Sequence, residues 1–194
     1  MRFYPPDAPV PGELRTEEFL LRMLRASDAE LDYEAVIESR EMLLLRSGGD
    51  WPSERFSLAE NLADLQEHER DHLARLNFTY TVMNPAETQC LGCVYIRPLL
   101  SLLQQLKASD AEISQVKDDE AYVTFWVRQS RLADGLDKRL LAALRDWFKD
   151  AWAFSRVLFR AEEDETRVVR IYQQAGLELR YILETTSGKA FLYE

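Results

Sequence analysis

Apolar and polar positions change period several times along the chain, and each change marks an element boundary. The sharpest lies between Arg160 and Leu183. Val168, Ile171, Tyr172 and Ala175 recur at the spacing of a helix with one buried face. Gly176 follows where a helix needs a left-handed C-terminal residue. Leu177, Leu179, Tyr181 and Leu183 then alternate with Glu178, Arg180 and Glu184, as in a half-buried strand. Upstream, Phe19, Leu21 and Met23 mark a first strand, and Ser27 with Glu30 spells a capping box for a helix to about Ser39. Gly48 to Pro52 reads as a loop. Ser57 and Glu60 open a second helix with Leu58, Leu62, Leu65, Leu73 and Leu76 on one side.

Phe78 to Met83 and Gln89 to Ile96 read as two strands, with Asn84 and Pro85 starting their turn. A helical segment from Leu99 to Leu106 and a polar loop come next. Ala121 to Val127 is apolar, aromatic and β-branched, as a buried strand requires. Leu136, Leu140, Leu144, Trp147 and Phe148 mark an amphipathic helix, and Val157 to Phe159 a short strand. The chain has no internal repeat.

Composition narrows the class. A length of 194 residues suits one domain with a sizeable core. Residues 1–16, with Pro5, Pro6, Pro9 and Pro11, are expected as an irregular arm before a single domain over 17–194. The longest apolar stretches, such as Leu99 to Leu103, are too short to span a bilayer, and no apolar signal region opens the chain. We therefore expect a cytoplasmic protein with no membrane partner. A net charge of −10 argues against nucleic acid, whose sequence-independent binding needs basic surface to replace phosphate counterions.

Several groups could carry chemistry. Tyr172, in the last turn of its helix beside a strand end, is either a proton donor or core packing. Glu69 projects into the leucine stripe, so it is partnered, at the end of the core, or lining a pocket, where partial burial would raise its pKa toward that of a general base. Between the strand ending at Val127 and the helix starting near Leu136, a turn through Gly135 would aim backbone N–H groups and a helix dipole at one spot. Arg128, Arg131, Lys138 and Arg139 outnumber Asp134 and Asp137 there; the segment is either an ordinary strand-to-helix turn or an anion site, for which a diphosphate is the natural ligand. His68-Glu69-Arg70-Asp71-His72 matches H-E-x-x-H, and Cys90-Leu91-Gly92-Cys93 is a C-x-x-C. Together they make a Cys2His2 set adequate for structural zinc; alternatively they are two buried thiols and two edge imidazoles.

The order of elements from about Glu17 onward resembles the GNAT superfamily of N-acetyltransferases. That family's central strand ends in V-x-P-x-x-R/Q-G-x-G-x-G/A, followed by paired leucines. Val127, Gly135, Leu140 and Leu141 keep the frame, with Gln129 for the proline, Leu132 for Arg or Gln, Ala133 for the first glycine and Asp137 for the last small residue. The second pattern, N-x-x-A-x-x-L/I-Y-x-x-x-G-F, is matched by Ile171, Tyr172 and Gly176. Leu177, Val168 and Glu165 replace its Phe, Ala and Asn.

The resemblance implies an α/β (α+β) fold, with a mixed central sheet of about six to seven strands flanked by helices. It implies an enzyme that moves an acetyl group from acetyl-CoA to an amine of a small molecule or peptide, and leaves room for a homodimer. Acetyl-CoA would lie between strands splayed near Val127 and Val157. Its diphosphate would rest on the N–H groups of Leu132, Ala133, Asp134, Gly135, Leu136 and Asp137, with Glu165 at the pantetheine arm. Tyr172 would protonate the leaving thiolate, and Glu120 or Glu69 would take the amine's proton. The same residues also admit a GNAT-like binding or assembly module without transfer, or a zinc-bearing structural protein.

Overall fold

Alternation of apolar and polar residues builds a single eight-stranded sheet among the described residues, which are 3–186 and 188–194 in a computed structural model. Strands β1 (Glu13–Arg15), β2 (Leu20–Met23), β3 (Phe78–Met83), β4 (Cys90–Pro98) and β5 (Glu120–Val127) form an antiparallel run. β6 (Arg156–Glu162) pairs in parallel with β5, and β8 (Gly188–Tyr193) joins β6 to the outer strand β7 (Leu179–Thr185). The sheet is mixed, as the resemblance implies. Its additional strand is β1, drawn from the proline-rich stretch expected to be irregular. The first two residues of that stretch lie outside the described residues.

Side chains of β5 show how the layers sit. Ala121, Val123, Phe125 and Val127 face a core shared with α6 (Leu136–Ala151) and α7 (Thr166–Gln174). On the other face Trp126 meets residues of α1 (Ala29–Glu38), α2 (Arg40–Arg46) and α3 (Leu58–Leu73). Tyr122 packs with α4 (Leu99–Gln105). The expected polar loop after α4 contains a short helix, α5 (Asp110–Ile113), with its own capping box.

Three local expectations change. The Ser27–Glu30 capping box does not form; the Asp28 carboxylate accepts from the Arg25 N–H at 3.0 Å and caps a 3-10 turn over Ala26–Asp28. α2 occupies residues left unassigned before the Gly48 loop. Of the leucines expected on the buried side of α3 only Leu65 is buried; Leu58, Leu62 and Leu73 are exposed, as is Leu76 beyond its end. Asn61, Leu65 and His72 turn inward instead. Leu65 joins the apolar cluster, whereas the two polar residues satisfy backbone groups: Asn61 donates to the Ala29 carbonyl at 3.0 Å, and His72 Nδ1 lies 3.1 Å from the Thr79 carbonyl. The histidines expected at an edge therefore pack against the sheet.

A bulge in β4 shapes the central strands. Val82 pairs with Gly92 but Met83 with Cys90, so Leu91 is the inserted residue. Gly92 has φ +150°, and a Cβ there would lie 2.0 Å from the Trp126 carbonyl oxygen. Only glycine lets β4 approach β5 this closely.

Candidate functional site between the splayed strands

β5 and β6 start as neighbours and then part. Their parallel ladder runs from Glu120↔Arg156 to Val123↔Phe159 and stops there, although β5 continues to Val127 and β6 to Glu162. Past Phe159, β6 stays paired only with β8. The gap opens into a cavity of about 200 Å³ whose wall includes Val127, Leu132, Asp137, Glu165, Arg46 and Arg167.

Arg46, the last residue of α2, spans the gap. Its guanidinium donates to the Phe125 carbonyl and lies 3.5 Å from the Glu165 carboxylate. Glu165 in turn accepts from the Glu162 N–H at 2.8 Å. Tyr172 lies beneath, 0% exposed, its ring against Phe125, Phe159 and Tyr193. Its hydroxyl donates to the Arg160 carbonyl at 3.3 Å. Burial pushes that hydroxyl's pKa well up, and the positive charge of Arg46 partly offsets this.

The loop before α6 is half committed to itself. Gly135 is left-handed, with φ 76°. The N–H groups of Leu132 and Gly135 donate to the Gln129 and Leu132 carbonyls, and that of Leu136 to the Asp134 carboxylate. Among the described residues the N–H groups of Ala133, Asp134 and Asp137 have no partner. Leu136 itself belongs to the core. The basic residues counted from the sequence are mostly engaged by the chain's own groups, Arg131 and Arg139 both holding Asp134 of this loop. Arg128 is buried against Glu34 and Glu38, Arg131 pairs with Asp134, and Arg139 with Glu18. The cation at the mouth is Arg167, which grips the buried Asp137 carboxylate at 2.6 and 3.1 Å and donates to the Leu132 carbonyl at 2.7 Å.

No protein-family model and no curated protein sequence matches the chain. Solved structures do. The microcin C7 self-immunity acetyltransferase MccE, in complex with acetyl-CoA and AMP, is 14% identical, with TM-score 0.72 over 95% of this chain and 96% of that one. The ribosomal L7/L12 alpha-N-protein acetyltransferase RimL, in complex with coenzyme A, is 15% identical, with TM-score 0.69 over 92% and 93%. A ribosomal-protein-S5-alanine acetyltransferase from Vibrio fischeri is 14% identical, with TM-score 0.67 over 94% and 95%. The fold is that of the GNAT acetyltransferases.

Within this GNAT fold the expected site residues divide. Val127, Leu132, Asp137 and Glu165 line the gap. Ala133, Asp134 and Gly135 form the adjoining turn. Glu120 does not reach the opening: it sits at the first rung of the ladder, about 20 Å of strand away from Val127. There its carboxylate accepts from Arg156 Nε and Nη2 at 3.0 and 2.6 Å. Glu69 is outside both cavity walls and caps a backbone group, accepting from the Ala26 N–H at 3.0 Å. Neither carboxylate lines a cavity.

A second cavity of about 400 Å³ shares Arg46 and Trp126 with the first and is also walled by Asp32, Asp64, His68 and Arg97. Burial, helped by Arg97, lowers the His68 pKa, so its imidazole is neutral at pH 7. Burial raises that of Asp64. Sequence reading missed His68 in this role because its neighbours Glu67, Arg70 and Asp71 are charged. Arg46 lies outside both family patterns, and Arg167 fills an unspecified position of the second, so neither carried a signal. The Cys2His2 set does not assemble: the clustered ligands among the described residues are Asp32, Cys90 and Cys93.

Proposed function

We propose that the chain transfers an acetyl group from acetyl-CoA to an amine of a small molecule or peptide. The single observation that carries this reading is the parting of β5 and β6 after Val123 and Phe159. It leaves a strand edge and a cavity where a thioester arm can lie, in a fold whose neighbours bind coenzyme A or acetyl-CoA. The unpartnered N–H groups of Ala133, Asp134 and Asp137, with Arg167 beside them, suit a diphosphate. Arg167 already neutralises the Asp137 carboxylate that would otherwise repel it.

The 400 Å³ cavity takes the acceptor amine, since Arg46 and Trp126 alone stand in both walls. In this reading the neutral imidazole of His68 accepts the amine proton, replacing the carboxylates suggested by the sequence. The amine nitrogen bonds to the acetyl carbon, the carbon–sulfur bond breaks, and Tyr172 supplies the proton that the leaving thiolate takes up once entry of the arm uncovers its hydroxyl, which here lines neither cavity and donates to the Arg160 carbonyl. Holding the two reactants in adjoining cavities supplies much of the acceleration. Among the described residues no helix is long and apolar enough to cross a membrane.

One observation favours a second reading, a GNAT-like binding module without transfer: the gap and its loop are bridged by the chain's own Arg46–Glu165 and Arg167–Asp137 pairs. Thermal unfolding with acetyl-CoA separates the two. Ligand at 100 times its Kd stabilises by about 2.7 kcal/mol, and an unmoved midpoint would rule out the enzyme. Free-thiol release across a panel of amines then identifies the acceptor class.

A further inference from the structure

Two cysteines three positions apart on a regular strand face opposite sides of the sheet. In β4 the bulge at Leu91 reverses this. Cys90 pairs with Met83 and Cys93 with Thr81, so both thiols emerge on one face, and the Thr81 hydroxyl lies 3.7 Å from Cys90 Sγ. Asp32 of α1 comes down onto them. Its Oδ1 is 3.8 Å from Cys90 Sγ and 3.4 Å from Cys93 Sγ, and the three ligand atoms lie within 4.8 Å of one another. All three residues are buried, and both thiols are free of disulfide. The other group bonded to the Asp32 carboxylate is the Asn61 amide, and no cation pairs with it among the described residues. A buried carboxylate in that position is ordinarily paired or bound to a metal.

We propose that Asp32, Cys90 and Cys93 bind a thiophilic divalent cation of the zinc type. Tetrahedral zinc, with bonds of about 2.3 Å to sulfur and 2.0 Å to oxygen, holds such ligands about 3.5 Å apart. The observed 3.4 and 3.8 Å need little adjustment. Charge balances as well. Two thiol protons, and any proton that burial keeps on Asp32, leave to solvent as the ion enters, and the filled cluster carries one net negative charge. Because the thiols must ionise, affinity strengthens as pH rises. Asp32 also stands in the wall of the 400 Å³ cavity, which supplies water for the fourth position. The histidines of the H-E-x-x-H run take no part: His68 Nδ1 lies 3.3 Å from the Thr79 hydroxyl, and His72 Nδ1 faces the Thr79 backbone. The site does not depend on acetyl transfer.

The test uses the full chain, reduced and stripped with a chelator, then titrated with Zn²⁺ against a chromophoric competitor and separately with Co²⁺. The expected result is one equivalent of zinc and an intense near-ultraviolet thiolate-to-cobalt band. Cys93→Ser and Asp32→Asn each weaken binding by about tenfold or more, whereas His72→Gln leaves it unchanged. Wild-type protein that takes up less than about a tenth of an equivalent at micromolar free zinc overturns the proposal, as does a cobalt complex lacking the thiolate band. These two readings need no variant, so misfolding of a mutant cannot rescue the idea.

Discussion

The two ends of the β5–β6 pair each carry an arginine–glutamate contact, and the contacts do opposite things. At the closed end Glu120 and Arg156 belong to the paired strands themselves, and their ion pair sits on a continuous ladder. Arg156 also donates to the Tyr181 hydroxyl at 3.2 Å, tying β6 to β7. At the open end Arg46 comes from α2 and Glu165 from the start of α7, and the guanidinium stands in for the missing strand by bonding the Phe125 carbonyl. One end satisfies its polar groups within the sheet. The other satisfies them with a side chain from outside the sheet, and it is this end that the proposed function assigns to the cofactor.

That contrast is broken most severely through Tyr172. If the open end is catalytic, Tyr172→Phe lowers turnover by about 10²-fold or more, the range for a lost general acid. Stability should fall far less, because the ring contacts survive and only the bond to the Arg160 carbonyl goes. Unchanged turnover in steady-state assays makes the residue packing and nothing else. The closed end should respond the other way. Glu120→Gln removes the charge from a mostly buried pair and is expected to destabilise by about 2 kcal/mol in urea unfolding. It should leave kcat/KM within about twofold. A tenfold fall in kcat/KM with native stability would put the catalytic carboxylate at the closed end after all.

Most elements and their order along the chain were legible because core positions repeat with the period of their element. Ala121 to Val127 and Val168 to Ala175 could be placed from spacing alone, and Gly176 has the left-handed φ, 75°, that the helix end requires. What stayed hidden depends on pairs distant in the chain. Glu120 reads as a base beside a strand, but its role is decided by Arg156, 36 residues away. Arg128 reads as cationic surface beside an anion site, yet it is buried against Glu34 and Glu38 of α1. The leucines of α3 read as a core stripe because hydrophobicity is visible in sequence, whereas the backbone groups that draw Asn61 and His72 inward are not. The C-x-x-C reads as half of a Cys2His2 set, but the bulge at Leu91, which no spacing shows, turns both thiols toward Asp32 instead of the histidines.

The finest probe of the comparison is Arg46→Ala. If Arg46 merely holds a place that the thioester arm takes over, each binding event must break its bond to the Phe125 carbonyl and its contact with Glu165. Removing it should tighten acetyl-CoA binding by about 1 kcal/mol, roughly fivefold in Kd, the net worth of one such hydrogen bond. Turnover should move in the opposite sense. The guanidinium charge is the influence that draws the Tyr172 pKa down, so without it the phenol holds its proton more tightly and gives it up less readily. A lower Kd by calorimetry together with a lower kcat is therefore the expected signature, and Arg46→Lys should fall between the two. Weaker binding in Arg46→Ala would mean that the arginine holds the ligand instead of yielding to it. The open end would then be as fixed as the closed one.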